Sequence, residues 1–312
     1  MNRSFSIVSC ALIALMLVSF VSAQSSPSMD ELFKQIATLS NTKKPEDMEK
    51  AFQLSKDFLK RFGNEKDNRI AKVKTFYVKY RDPAFYAAID GKKYPEAFAL
   101  GKEILAEQPN NVDVLMNLAF AGYNATVGTK DRVFADDTIS FAKRTSQLFD
   151  AGTMPKEFFP FKDKSTAVAF MHYIAGVLSF EQDMNTGIVE IYRATLVDSA
   201  IKDSADPYSM IASYYESQYE SASKVLNTKV EGKALSDADY KTEKARVDNI
   251  LESLMDAYAR TVTRAETEKN PNLSIWKPRL VQIYKFKNKT EDGLVEFIKY
   301  ANTKPMAEPK KF

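Results

Sequence analysis

An all-α fold is what this sequence of 312 residues predicts, and three observations lead there. Along nearly every segment after the first two dozen residues, apolar side chains recur at spacings of three and four rather than at alternate positions. No pair of strand-like runs is joined by Asn-Gly or Gly-Gly, and Asp90-Gly91 falls between helical runs. Ten Gly and 12 Pro are too few for a turn-dense all-β chain or a collagen-like one. With 45% hydrophobic and 27% charged residues, the chain has enough apolar surface to bury a sizeable core or two smaller ones.

The first element is an address. Met1-Asn2-Arg3 is a short positive start, residues 5–21 are apolar apart from Ser6, Ser9 and Ser19, and Val21-Ser22-Ala23 supplies the small residues a signal peptidase reads. Residues 1–23 therefore read as a secretory signal peptide cleaved after Ala23. The apolar run reaches the lower edge of a membrane span, so an uncleaved signal anchor is the alternative. Ile7-Val8-Ser9-Cys10 looks like a lipoprotein box, but the hydrophobic region follows Cys10 instead of preceding it. Once Cys10 is removed the mature chain has no cysteine and no disulfide. Export without disulfides points to a periplasmic or extracellular protein of a bacterial envelope.

The mature chain divides into N-terminal helical repeats over 24–151, a connecting loop at 152–164, a C-terminal helical region at 165–304 and a disordered Lys-rich tail at 305–312. Breaks between helices fall near 41–45, 63–68, 90–94, 108–112, 182–187, 202–207, 227–237, 268–274 and 287–291. Asp82-Pro83 and Asp206-Pro207 each read as an Asp cap followed by Pro in a first turn, hence as helix starts. Tyr208, Ile211, Tyr215, Tyr219 and Ala222 form one apolar stripe, and Val247, Ile250, Leu251, Leu254, Tyr258 and Val262 another. On the second helix, Glu252, Asp256, Arg260 and Arg264 line the polar face, with the acid before the base at Asp256–Arg260.

A repeat is visible between residues 48–64 and 94–110. The two 17-residue stretches share six identical positions, and their apolar residues agree in phase. Tyr94, Ala97, Ile104-Leu105 and Pro109 give the order aromatic, small, apolar pair, proline. This resembles the second helix of a tetratricopeptide repeat, and Leu115, Leu118 and Ala119 continue the resemblance into the next helix. Two glycines depart from the family pattern: Gly101 stands where an aromatic is usual, and Gly122 where a large residue is. The interval of 46 residues also exceeds the family's 34. The resemblance covers about 45–122 and implies tetratricopeptide-like helical-hairpin repeats, an α-solenoid, irregular in the C-terminal half. It also implies a protein-binding role.

Signatures of catalysis and of cofactor binding are missing. The glycines are too dispersed for GxGxxG, a P-loop or a GxSxG elbow. One His and one Cys leave no His/Cys metal site, and a net charge of +3 gives no argument for nucleic acid. His172, between Met171 and Tyr173, reads as a packing histidine, with a general base as the sharper alternative. Ser-x-x-Lys recurs at Ser40, Ser140 and Ser221 without the partner motifs that would make it catalytic. Asp136-Asp137 and the group Asp237, Asp239, Glu243 lack a calcium-loop pattern and read as helix-start acids. No cofactor is expected, and no stable membrane insertion after signal cleavage.

Binding is the better lead. The 21 Phe and 15 Tyr are mostly packing residues, but the concave face of a repeat array commonly takes a peptide on Tyr and Asn. Asn117 and Tyr123 are the candidates on the best-matched helix. Phe158, Phe159 and Phe161 form either a plug between the two helical halves or an exposed apolar contact. Nine Lys/Arg against four Asp/Glu from Lys277 onward make the C-terminal end basic, as a solvated face or a weak attraction to an acidic partner. The expected function is a non-catalytic envelope scaffold for a protein or peptide partner. The alternative is an enzyme or small-ligand carrier with its pocket near Phe158–Phe161 and His172.

Overall fold

The computed structural model describes residues 26–310 except Ala234; the expected signal peptide at 1–23, with Cys10, lies outside the described residues, as do Lys311 and Phe312. Among the described residues there are thirteen helices and no strand. The chain forms two compact units, the first ending at Arg81 and the second beginning at Asp82.

In the first unit, α1 (Met29–Thr42) starts at Ser28. The Ser28 side chain accepts the Glu31 N–H, and the Glu31 carboxylate accepts the Ser28 N–H at 2.7 Å, a complete capping box. Helix α2 (Pro45–Phe62) opens with Pro at its first position, where a missing N–H costs nothing. Leu32 and Ile36 of α1 bury against Phe58 of α2 and Val73 of α3 (Asn68–Asp90). Phe52 stacks on Tyr77, with ring centroids 5.0 Å apart and planes 8° apart.

The second unit holds the end of α3, then α4 (Tyr94–Glu107), α5 (Val112–Thr129), α6 (Ala135–Asp150), α7 (Lys164–Phe180), α8 (Met184–Leu196) and the short α9 (Ala200–Asp203). After these come α10 (Ala205–Glu231), α11 (Asp237–Glu268), α12 (Leu273–Asn288) and α13 (Leu294–Thr303). Here α4 packs on α5, α5 on α6, α6 on α7, α7 on α8, α8 on α9, α10 on α11 and α11 on α12, while α5 on α7, α7 on α9, α8 on α10 and α11 on α13 add contacts with the next helix but one. Packing only on near neighbours in sequence defines a helical-repeat array. Helices α4–α8 run 13 to 18 residues each, whereas α10 spans 27 residues and α11 spans 32. One core gathers Leu115, Met116, Phe149, Met171 and Ile174 from α5, α6 and α7. A second gathers Ile191, Tyr214, Tyr215, Ile250, Leu254 and Leu280 from α8, α10, α11 and α12. Helices α7 and α8 cross where neither has a side chain in the way: a Cβ on Gly187 would lie 2.3 Å from the Phe180 nitrogen.

Four expectations are corrected. Asp82-Pro83 does not start a helix, because α3 runs from Asn68 through Pro83 to Asp90. Buried Tyr77, Arg81, Phe85 and Ala88 recur at spacings of four and three on both sides of the proline, and this burial offsets the ~3 kcal/mol that an interior Pro costs. The cap of α10 is Ser204, whose side chain accepts the Asp206 N–H, so Asp206 lies inside the first turn. A break at 130–134, absent from the expected set, separates α5 from α6; Lys130 adopts φ 59° there, and the Asp131 carboxylate accepts the Val133 N–H at 3.0 Å. Finally, residues 305–310 are not a free tail. Met306 is 7% exposed and belongs to the second core, and the Tyr192 hydroxyl donates to its carbonyl at 3.1 Å. The 152–164 stretch lies inside the second unit, with α6 and α7 packed on each other across it.

Candidate functional site

A cleft of about 870 Å³ opens in the second unit between the last turns of α3, the α4–α5 turn, the start of α5 and the 152–164 connection. Each wall follows from local sequence. Pro109 ends α4, and Asn111 caps α5 by accepting the Val114 N–H at 3.1 Å while its amide donates to the Gln108 side chain at 3.0 Å. Asp113, in the first turn of α5, accepts the Lys156 backbone N–H at 3.2 Å and so ties the connection to the helix. From that anchored segment Phe159 projects into the cleft, 62% exposed. Tyr86 faces the same cleft from α3, 39% exposed. Burial, reinforced by the charges of Asp113 and Asp82, raises its phenol above the ordinary tyrosine value. Asp82, Asp113 and Glu157 against Lys156 make the walls acidic on balance.

The expected site residues separate. Asn117 lines the cleft, but it is 4% exposed and its amide donates to the Asp113 carbonyl at 2.8 Å, within its own helix. Phe159 is the exposed member of its trio. Phe158 is half-buried with its ring centroid 6.3 Å from that of Phe149, and Phe161 is buried against Phe120 at 5.2 Å and Phe170 at 5.3 Å. The trio therefore combines core packing with one surface ring. Tyr123 is not among the residues lining this cleft. It meets Tyr173 of α7 edge-on, with ring centroids 6.4 Å apart. Burial, then the negative charge of Asp206, raises the Tyr123 phenol. Burial likewise raises the Asp206 carboxyl, with Glu268 adding to the effect.

His172 is 8% exposed, and its Nδ1 lies 2.7 Å from Oε2 of Glu190 on α8. Arg193 donates to the other carboxylate oxygen at 2.9 Å. The pair fastens α7 to α8. Burial pushes the Glu190 carboxyl up, but the hydrogen bond and charge of His172, with Arg193 and Lys143, outweigh it and hold the carboxyl below its usual range. Among the described residues, no group of three or more His, Cys, Asp or Glu is arranged to hold a metal ion, and no helix is long and apolar enough to cross a membrane.

Sequence reasoning missed Tyr86, Asp113 and Lys156. The one local signal was Asp113, an acid just after the Asn111 cap, whose side chain serves the connection more than 40 residues later.

No protein-family model and no curated protein matches the chain. A crystal structure of a TPR repeats protein from Bacteroides fragilis is similar to it, at 16% identity and a TM-score of 0.39, over 84% of this chain and all of that one.

Proposed function

We propose that this chain is an exported, non-catalytic helical-repeat scaffold that binds a protein or peptide partner in the cell envelope. Its contact surface is the cleft between α3, the start of α5 and the 152–164 connection. The supporting observation is Phe159, a large ring left 62% exposed on a backbone that Asp113 pins in place. An apolar ring held out to water does nothing for the folded chain alone, whereas on a pre-ordered loop it offers an anchor at low entropic cost. Tyr86 supplies a second ring, and the acidic walls favour a partner segment with a basic residue beside its apolar one. The reading needs no cofactor and no nucleic acid.

The test uses protein beginning at Gln24, immobilised as wild type and as Phe159→Ala, and exposed to envelope extract with retained proteins identified by mass spectrometry. A partner held by wild type and lost by the variant at unchanged melting temperature supports the reading. Equal retention, or none by either protein, sinks it. Export is tested separately by sequencing the N-terminus of the chain recovered from the envelope. Gln24 supports cleavage, Met1 in a membrane fraction means an anchor, and retention inside the cell removes the envelope assignment.

A further inference from the structure

Residues 304–310 lie across α8, α10 and α11 in the manner of a bound peptide. The Arg260 guanidinium donates to the Lys304 carbonyl at 2.9 Å, the Tyr192 hydroxyl to the Met306 carbonyl at 3.1 Å, and the Tyr214 hydroxyl to the Lys310 carbonyl at 3.1 Å. All three acceptors are main-chain carbonyls, and the backbone enters the segment extended at Lys304, with φ −113° and ψ 155°. The donors read main chain, so they do not depend on which side chains the segment carries. Side-chain recognition is confined to Met306 and Pro309, the two buried residues of the segment, while the others are exposed.

The receiving surface is built for this. Arg260 is 4% exposed and held by Asp256 through contacts of 3.0 and 3.4 Å, which leaves Nη2 aimed at the segment. Tyr214 is 1% exposed. Both keep a partner if the segment leaves: Asp256 still holds Arg260, and Asn185 Oδ1 lies 3.3 Å from the Tyr214 hydroxyl. Tyr192 is half-buried and turns to water. The segment also does not fill its groove. A cleft of about 700 Å³ remains beside it, where Glu252 and Asp256 stand with Lys304 and Lys310.

We propose that this groove is a second peptide-binding site, for an extended segment of a partner protein carrying Met-x-x-Pro. Residues 304–310 are its built-in occupant, displaced when the partner binds. The site is separate from the Phe159 cleft, and its function does not depend on that cleft. A tethered occupant competes at an effective concentration of about millimolar, so the intact chain takes up an outside segment weakly until its own is loosened.

The experiment uses the full mature chain and a fluorescent peptide of residues 302–312, read by anisotropy. Met306→Asp in the protein removes the buried anchor of the internal segment and leaves the groove intact. It is expected to bind the peptide at least about tenfold more tightly than wild type. Adding Tyr214→Phe to that variant is expected to weaken uptake several-fold. Melting curves confirm that each protein is folded, and Met306→Ala replaces Met306→Asp if the latter does not fold. Absence of binding to a folded Met306 variant, or equal binding by wild type, overturns the proposal. A wild-type dimer that the Met306 variant turns into a monomer assigns the groove to a second copy's segment and overturns the partner assignment.

Discussion

Nδ1 of His172 stands 2.7 Å from Oε2 of Glu190, joining α7 to α8 through two side chains that are 11% and 15% exposed. Replacing His172 with Ala leaves that oxygen half-buried without its nearest partner. The expected cost is about 1–3 kcal/mol in chemical denaturation, with binding through the Phe159 cleft unchanged. A general base would show the opposite pattern, with activity lost at little cost in stability. The Glu190 carboxyl sits below its usual range in the folded chain. Its contribution is therefore present above the unfolded value, about 4.3, and lost as pH falls through the folded one. Acid unfolding of the His172→Ala protein is expected to depend less on pH in that window than that of wild type.

Two glycines with opposite surroundings test the helix crossing. A methyl group at Gly187 meets the Phe180 backbone at 2.3 Å, whereas one at Gly128 meets nothing within 4 Å. Gly187→Ala is expected to lose about 3 kcal/mol, because two backbones must move apart. Gly128→Ala, in the last turn of α5, is expected to gain about 0.5 kcal/mol from the reduced freedom of the unfolded chain. Melting temperatures that shift equally would remove the close crossing.

Phe159 and Phe161 are two residues apart and separate binding from stability. Phe161→Ala empties a site among Phe120 and Phe170 and is expected to cost about 3–5 kcal/mol. Phe159→Ala removes a ring already in water and is expected to stay within about 0.5 kcal/mol of wild type. Equal destabilisation of the two variants would mean that Phe159 belongs to the core.

Burial pushes the Tyr215 phenol up to about 12. Tyr258 also reaches about 12 through burial, the charge of Glu216 and the hydrogen bond it donates to that carboxylate at 3.0 Å. A raised folded value means stability fully present below the unfolded pKa, about 10, and lost as pH rises toward 12. Ultraviolet titration of the native protein near pH 10.5 is expected to show these two tyrosines still protonated. The Tyr215→Phe, Tyr258→Phe double variant should ionise as large an absolute number of tyrosines there as wild type.

Legibility in the sequence followed how local each cause was. The three-and-four spacing of apolar residues acts within two turns and Pro109 after α4 within one, so the helices and most breaks between them could be read directly. The repeat at Tyr94–Pro109 was legible because a helix-pairing surface needs its small and large residues at fixed spacing. The candidate cleft was only half legible: Phe159 and Asn117 could be named, but the different exposures of Phe159 and Phe161 could not, since ring positions on an irregular backbone have no period to assign them to core or water.

By itself, the sequence determined the all-α class, the order of the helices and the absence of nucleotide-binding and nucleophile-elbow motifs, because these rest on spacing and residue type alone. Only the tertiary structure decided that α3 continues through Pro83, that Phe161 is core while Phe159 is surface, and that residues 304–310 lie in a groove instead of in solvent. Each of these depends on burial against residues far away in the chain. Such burial can override a local propensity of a few kcal/mol without leaving any pattern in the neighbouring sequence.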